Sequence, residues 1–282
     1  YLGVKEVYVK DESYRFGLNA FKVLGGSFAM ARYIAKETGK DVSELPYSVL
    51  TSEQLRKEFG QATFFTATDG NHGRGVAWAA NHLGQKAVVH MPKGTTQTRL
   101  QNIAKEGAQV DIQELNYDDC VRLAAKEADE TPRGVIVQDT AWDGYEEIPA
   151  WIMQGYGTMA MEAGEQLKAQ GCERPTHIFV QAGVGSLAGA VVGYFSNLYA
   201  DNLPTFVVVE AEAAACLYKG AAAGESGAAP FGALAAMMTM DEYKDLRNDI
   251  GLDENSKVLL FSTEGDTDPD RYKNIVWKGL DK

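Results

Sequence analysis

The sequence is poor in the residues that build metal centres and disulfide frameworks. Its three cysteines, Cys120, Cys172 and Cys216, are widely spaced, and its four histidines show no HExxH-like spacing. An odd number of cysteines without a CxxC pair argues against a disulfide framework and favours a reducing compartment. We therefore expect a cytoplasmic protein without a metal site.

Basic residues and long apolar runs are also scarce. Lysine and arginine number 27 against 39 aspartates and glutamates, which gives a formal net charge of −12. Nucleic acid needs a basic face and anionic membranes attract basic segments, so neither is expected as a partner. No apolar run reaches the length of a membrane span, and no signal peptide is visible. Because the chain begins at Tyr1 instead of Met, we expect residues to be missing before it.

Short β-type runs alternate with longer helical stretches along the chain. Strands are predicted at 4–10, 63–68, 87–91, 109–112, 135–137, 177–180, 205–210 and 257–261, and helices at 75–83, 98–106, 117–130, 156–170 and from about 187. This rhythm is typical of parallel sheets covered by helices on both faces. We expect two α/β lobes, with a boundary near Trp142 to Trp151.

Lys22 lies in an unusual place, the apolar and glycine-containing stretch Asn19–Ser27. Lysine is almost never fully buried without a partner. Desolvation lowers the proton affinity of its amine, which can then form a Schiff base with an aldehyde such as that of pyridoxal phosphate. The alternative is a lysine at a helix start whose stem packs while its head reaches water, and the stretch alone favours that alternative.

A glycine-rich turn follows the predicted strand at 177–180. The run Gln181–Gly189 contains Gly183, Val184, Gly185 and Ser186 and opens a helix. Glycines let the backbone approach an anion, and a helix N-terminus supplies N–H groups and a positive dipole end. A phosphate cradle and a simple tight turn explain this pattern about equally well.

A second polar loop, Thr66–Gly75, also joins a strand to a helix. Turn and N-cap preferences account for one or two of its residues, but not for the Asp, Asn, His and Arg that share its tip. Asn71 could donate a hydrogen bond to the phenolic oxygen of a planar ligand, and Asp69 could accept a proton.

Two further strand ends carry polar residues. Asp139 follows the strand at 135–137, while Ser262 and Thr263 follow the strand at 257–261. In open α/β sheets, ligands bind outside the carboxyl ends of strands. An acidic surface turn would also explain the region around Ser262. Together with Lys22, the four loops indicate a single cleft between the two lobes.

Several long motifs resemble the fold type II, tryptophan-synthase-β-like pyridoxal phosphate enzymes, and most closely the 2,3-diaminopropionate ammonia-lyases. The similar stretches are KDESYRFGLNAFK (10–22), TATDGNHGRG (66–75), QDTAW (138–142), 148–157 and 262–268. The resemblance implies a two-lobed fold with a large cofactor-binding domain at 1–45 and 146–282 and a small domain at 46–145. It further implies a homodimer. Asp69 separates this group from ordinary dehydratases, which usually carry Ser or Thr there.

The resemblance also implies a role for each matched residue. Lys22 would hold pyridoxal phosphate as a Schiff base and Asn71 would contact its phenolic oxygen. Gly183, Val184, Gly185 and Ser186 would bind the phosphate, and Ser262 or Thr263 would face the ring nitrogen.

The implied reaction is α,β-elimination of an amino acid, 2,3-diaminopropionate, to pyruvate and ammonia. Lys22 and Asp69 would act as bases on opposite faces, which would explain acceptance of both D and L isomers. Asp139 would bind the β-ammonium group of the substrate.

Two other readings remain at this point. A serine or threonine dehydratase would share Lys22, Asn71 and the phosphate loop. A phosphometabolite-binding α/β protein without catalytic activity would make Lys22 structural. The chain also differs from the family pattern near Gly224, where a segment of the large domain is expected to be absent.

Overall fold

The computed structural model describes residues 2–210 and 227–269, and within them two four-stranded sheets lie among ten helices. The strands are β1 (Glu6–Asp11), β2 (Thr63–Ala67), β3 (Lys86–Met91), β4 (Gln109–Ile112), β5 (Gly134–Ile136), β6 (His177–Gln181), β7 (Thr205–Val209) and β8 (Lys257–Ser262). The helices are α1 (Val23–Thr38), α2 (Tyr47–Leu50), α3 (Glu53–Phe59), α4 (Asn71–His82), α5 (Gln97–Ala104), α6 (Tyr117–Glu130), α7 (Glu147–Ala169), α8 (Ser186–Leu198), α9 (Ala229–Thr239) and α10 (Lys244–Asp249).

The chain forms two compact units, which divide after Phe21 and again after Gly155. The first unit contains a sheet in the order β1-β8-β6-β7, and the second a sheet in the order β4-β3-β2-β5. Every strand pair in both sheets is parallel. The α/β class and the parallel sheets are therefore as the alternating pattern predicted.

The sheet of the second unit is covered on both faces by apolar helix residues. Phe65 and Ala67 on β2 pack against Cys120, Ala124 and Ala128 of α6. The other face has a separate cluster in which Val89 and Met91 of β3 meet Ala77 and Ile103. Burial on both faces explains why the four successive residues of β2 from Phe64 to Ala67 are buried, instead of every second one.

Local signals set where several helices begin. The side chains of Ser52, Thr96 and Asn116 each accept a hydrogen bond from a backbone N–H in the first turn of α3, α5 and α6. Such N-caps satisfy backbone donors that have no partner within the helix.

The sheet of the first unit is built around a fully buried central strand. All five residues of β6 are buried. Phe179 packs with Val258 and Leu260 of β8 and with Leu234 and Met237 of α9.

Helix α7 corrects a prediction. A helix was expected only from residue 156, but α7 begins at Glu147 and includes Pro149. Proline is tolerated in the first turn of a helix, where its missing N–H has no helical partner in any case. Pro149 therefore lies in the first turn of a helix that begins within the stretch where the lobe boundary was expected.

The compact units differ from the predicted domains in where α1 lies. The prediction assigned residues 1–45 to the large domain, whereas α1 packs on α4 within the second unit. The functional assignment of a large and a small domain stays a prediction. The segment expected to be absent near Gly224 falls at residues outside those described.

Within 2–210 and 227–269, no helix is both long and apolar enough to cross a membrane.

Candidate active site

Lys22 and Asp139 form an ion pair in the second unit. The Lys22 Nζ donates a hydrogen bond of 2.6 Å to Asp139 Oδ2, although the two residues are 117 positions apart. The lysine side chain is 26% exposed and that of Asp139 only 5%. Burial alone would raise the pKa of the Asp139 carboxyl, but the positive charges facing it, on His72 when protonated and on Lys22, hold that pKa below its usual value.

Sheet topology explains how these distant residues meet. Strands β2 and β5 are neighbours, so the loop after Ala67 and the loop after Ile136 leave the same edge of the sheet. Lys22 immediately precedes α1, which packs against α4. The structure thus brings Lys22, Asp139 and His72 together, while the roles assigned to Lys22 and Asp139 stay predictions.

His72 is a buried neighbour of this pair to which the sequence assigned no role. Its Nε2 lies 2.8 Å from the Val137 carbonyl oxygen, which can only accept, so Nε2 carries a proton. Its Nδ1 lies 3.9 Å from Asp139 Oδ2 and has no hydrogen-bond partner among the described residues. Burial lowers the pKa of His72, which favours a neutral ring at neutral pH.

Gln138 fixes the backbone that presents Asp139. It is fully buried, and its Oε1 accepts hydrogen bonds from the Thr66 hydroxyl and the Ala67 amide. Its Nε2 donates to the Tyr117 hydroxyl at 2.8 Å. Burial raises the pKa of Tyr117 to about 12, so the phenol stays protonated. Gln138 therefore ties the end of β5 to the end of β2 and to the start of α6.

Asp69 and Asn71 lie at the tip of the same edge, on either side of Gly70. Asp69 is 74% exposed, and Arg99 of α5 approaches both its carboxylate and its backbone carbonyl. Asn71 is the first residue of α4 and is partly buried. Thr68 stabilises the loop, because its hydroxyl accepts a hydrogen bond of 2.9 Å from the Gly70 amide.

The glycine-rich turn lies at the carboxyl end of β6, in the first unit. Gly183, Val184 and Gly185 are exposed, and Ser186 begins the 13-residue helix α8. Gly185 is the N-cap at φ +92°, in the left-handed region that favours glycine. Glycine has no side chain that could accept hydrogen bonds from the first-turn N–H groups, so a bound anion can accept them instead.

Ser262 and Thr263 lie at the carboxyl end of β8, next to β6 in the same sheet. Thr263 is buried, and its hydroxyl accepts a hydrogen bond of 2.7 Å from Gln181 Nε2. Its backbone carbonyl accepts a hydrogen bond from the Phe21 amide, directly before Lys22. Ser262 is partly buried and ends the strand. The Thr263 hydroxyl keeps its own proton and can donate it to a second acceptor.

A network of four charges anchors the chain that leads to Phe21. Arg15 donates to Glu12 at 2.7 and 2.8 Å and to Glu162 at 2.9 Å, and Lys10 donates to Glu162 at 2.7 Å. The hydrogen bonds from Arg15 have the largest effect and, together with the one from Lys10, lower the pKa of Glu162 to about 2, although burial opposes them. Glu12 is only 1% exposed, so the network extends into the interior.

Each unit by itself holds groups suited to part of pyridoxal phosphate. The second unit has a lysine amine beside a buried carboxylate. The first unit has a helix N-terminus without a side-chain cap, and hydroxyls at a neighbouring strand end. A Cβ built on Gly183 or Gly185 would meet no heavy atom within 4 Å beyond the adjacent residues, so the turn leaves room for a phosphate. The described residues contain no cluster of histidine, cysteine and acidic side chains suited to a metal ion.

Comparison with known proteins then decides the family. Residues 1–241 match the family of pyridoxal-phosphate dependent enzymes. The chain is 43% identical to the diaminopropionate ammonia-lyase of Salmonella typhimurium, over 99% of this chain and 85% of that protein. The chain belongs to the diaminopropionate ammonia-lyase family. That alignment spans 345 positions, more than the 282 residues of this chain, so the relative carries residues without a counterpart here.

Solved structures agree with the family assignment. The apo form of Escherichia coli diaminopropionate ammonia-lyase superposes with a TM-score of 0.87 at 41% identity, covering 99% of this chain and 83% of that one. The same enzyme in complex with an aminoacrylate-PLP azomethine reaction intermediate gives a TM-score of 0.84 at 38% identity, covering 99% and 84%. Tomato threonine deaminase shares the fold, with a TM-score of 0.68 at 16% identity over 98% of this chain and 83% of that one.

Membership of a family of pyridoxal-phosphate-dependent enzymes confirms the expected cofactor and the fold type II class. It removes the reading in which the chain is a non-catalytic phosphometabolite-binding protein. The residues that sequence reasoning missed are His72, Gln138, Tyr117 and Arg99. His72 and Gln138 lie inside motifs already singled out, so adjacency to Asn71 and Asp139 was the available signal. Tyr117 and Arg99 come from other parts of the chain, and only the fold reveals them.

Proposed function

We propose that this enzyme catalyses α,β-elimination of 2,3-diaminopropionate, in both D and L forms, with addition of water to give pyruvate and two molecules of ammonia. The observation that carries the proposal is the 2.6 Å contact between Lys22 Nζ and Asp139 Oδ2. This contact supports Asp139 as a buried carboxylate that can pair with the alkylammonium group of a substrate. Among the candidate substrates, only diaminopropionate offers such a group at its β-carbon.

With its amine bound to the cofactor, Lys22 would no longer present a free ammonium group to Asp139. The buried carboxylate would then lack that partner, which is costly unless another cation replaces it. The β-ammonium group of diaminopropionate supplies the charge, and the neutral hydroxyl of serine or threonine does not. The ion pair therefore favours diaminopropionate over the dehydratase substrates.

The remaining cofactor contacts follow the same assignment. Asn71 would donate to the phenolic oxygen, and the turn from Gly183 to Ser186 would bind the phosphate through backbone N–H groups and the Ser186 hydroxyl. A hydroxyl from Ser262 or Thr263 would serve the ring nitrogen. When bound, pyridoxal phosphate is an electron sink that makes the α-proton of an amino acid removable.

Two residues of the chain move that proton. Lys22 takes it from one isomer and Asp69 from the other, each as a general base. Asp139 holds the β-nitrogen until it leaves as ammonia. Asp69 lies at the exposed tip of the loop before α4, where its carboxylate is open to an approaching substrate.

The wider assignments complete the proposal. The enzyme is a cytoplasmic homodimer whose partner in catalysis is a small amino acid. Residues 1–45 and 146–282 form its large cofactor-binding domain, and residues 46–145 its small domain.

A substrate comparison tests the function. Purified enzyme with added pyridoxal phosphate is assayed for pyruvate with each isomer of diaminopropionate, serine and threonine, with 2-oxobutyrate followed for threonine. We expect kcat/KM for both diaminopropionate isomers to exceed that for serine and threonine by at least about 100-fold, because a buried charge is left unmatched by the hydroxyl substrates. Equal or faster turnover of serine or threonine would overturn the proposal.

Asp69→Asn tests the two-base assignment. It should strongly reduce turnover of the D isomer while L turnover remains. An unchanged rate with the D isomer would show that Asp69 is not its base.

The second candidate is a serine dehydratase. The observation that favours it is 28% identity, over 72% of this chain, to a probable D-serine dehydratase of Rhizobium etli. The chain covers only 45% of that protein, and the likeness is weaker than to the ammonia-lyases. The same substrate comparison distinguishes the two.

A further inference from the structure

Arg99 is the residue that holds the exposed tip of the loop between β2 and α4. It lies in the first turn of α5, where its amide donates a hydrogen bond to the Thr96 hydroxyl at 3.3 Å. Its side chain is 19% exposed, while the Asp69 side chain that it reaches is 74% exposed. A largely enclosed arginine therefore extends from a fixed helix to a solvated carboxylate.

One guanidinium nitrogen contacts both the side chain and the backbone of Asp69. Arg99 Nη1 lies 3.6 Å from Asp69 Oδ2 and donates a hydrogen bond of 3.2 Å to the Asp69 carbonyl oxygen. The same arginine runs along the next residue, since a Cβ built on Gly70 would lie 3.6 Å from Arg99 Cδ and 3.8 Å from its Nε. Arg99 thus restrains the Asp69 side chain, the Asp69 carbonyl and Gly70 together.

The opposite side of the tip is also fixed. Thr68 is 2% exposed and accepts the Gly70 amide hydrogen bond. Thr68 thus ties Gly70 to the end of β2, while Arg99 restrains Asp69 itself. An isolated exposed ion pair contributes little stability, so the value of this contact lies in the geometry it imposes.

We propose that Arg99 is a positioning residue for Asp69 and thereby sets the activity toward the D isomer. The inference rests on the proposed function, in which Asp69 is the base for that isomer and Lys22 the base for the other. Arg99 does not touch the reacting atoms. Its loss releases the Asp69 carboxylate, and proton abstraction slows because a displaced base reacts poorly. Turnover of the L isomer, which depends on Lys22, is spared.

The experiment compares Arg99→Met with a matched control. Arg74→Met removes an arginine of similar exposure, 20%, that pairs with Glu106 at 3.0 Å and lies on α4 close to the same loop. In R99M, kcat/KM for the D isomer should fall at least about tenfold. The value for the L isomer should stay within about twofold of wild type. R74M should keep the wild-type ratio of D to L activity.

Two further readouts separate positioning from a general structural effect. With Cα-deuterated D-diaminopropionate, R99M should show a larger isotope effect on kcat/KM than wild type, because proton removal becomes more rate-limiting. The amide order parameter of Asp69, measured by NMR relaxation on the holoenzyme, should fall in R99M and not in R74M.

Each other outcome counts against the inference. An equal loss of D and L activity in R99M, or an unchanged order parameter at Asp69, overturns the positioning role and leaves the proposed function intact. Wild-type enzyme without D-isomer turnover overturns the two-base part of the proposed function, and the inference with it. The two failures are therefore distinguishable.

Discussion

Gly75 is the position where a single methyl group should disturb the start of α1. It lies on α4, and a Cβ built there would sit 2.8 Å from both the N and the Cα of Val23 and 3.1 Å from the carbonyl carbon of Lys22. All three are backbone atoms, so the contact cannot be relieved by rotating a side chain. In Gly75→Ala, α1 and α4 must move apart at Lys22, the residue proposed to bind the cofactor.

The magnitude follows from overpacking. Extra carbon in a well-packed core costs about 1–3 kcal/mol. The higher helix propensity of alanine relative to glycine offsets at most about 1 kcal/mol of this destabilisation. At about 2–4 °C per kcal/mol, the Tm of G75A should fall by several degrees. Because the backbone at Lys22 shifts, the apparent affinity of the G75A enzyme for pyridoxal phosphate should fall as well.

Gly26→Ala is the matched control from the facing helix. A Cβ there would lie 3.5 Å from Val76 Cγ2 and the Val76 amide nitrogen, which is ordinary van der Waals contact. G26A should therefore be as stable as wild type or slightly more stable. Circular dichroism melting curves and titration of cofactor absorbance on both variants provide the assay. A G75A protein that melts at or above the wild-type temperature would refute the packing argument.

Three further predictions concern the charges and the phosphate turn. Gly185→Ala places a side chain at φ +92°, which should weaken pyridoxal phosphate binding by about 1–2 kcal/mol. The Kd measured by absorbance titration should therefore rise roughly 5- to 30-fold, and an unchanged Kd would contradict this prediction. Asp139→Asn should raise KM for diaminopropionate at least about tenfold, since a charged hydrogen bond is lost, and an unaltered KM would remove Asp139 from substrate binding. Glu162→Gln should lower the Tm at pH 7, because the depressed pKa of Glu162 stabilises the fold at pH values above its ordinary 4.5. That stabilisation is lost as the pH falls from 4.5 to about 2, so the Tm difference between E162Q and wild type should shrink over that interval, and a constant difference would contradict the linkage.

The fold was largely readable from the sequence because its strands are buried on both faces. The alternation of strands with helices was enough to predict parallel sheets. The start of α7 at Glu147 was not predicted, because Pro149 lies in its first turn and the apolar pattern was followed only from residue 156.

The candidate site was predictable only as a set of separate loops. Lys22 and Asp139 could each be singled out from local sequence, but their contact depends on the pairing of β2 with β5, which no local pattern specifies. The support from Tyr117 and Arg99 was not predictable for the same reason. Both reach the site from helices whose sequences read as ordinary N-terminal turns.

The central claim is that Lys22 is the cofactor-binding lysine of a pyridoxal-phosphate-dependent ammonia-lyase. The most direct test is borohydride reduction of the enzyme after incubation with pyridoxal phosphate, followed by peptide mass mapping. We predict one reduced cofactor per chain, on the peptide that contains Lys22, and loss of this label in Lys22→Ala. Labelling of another lysine, or no stable incorporation into wild-type enzyme, would contradict the account.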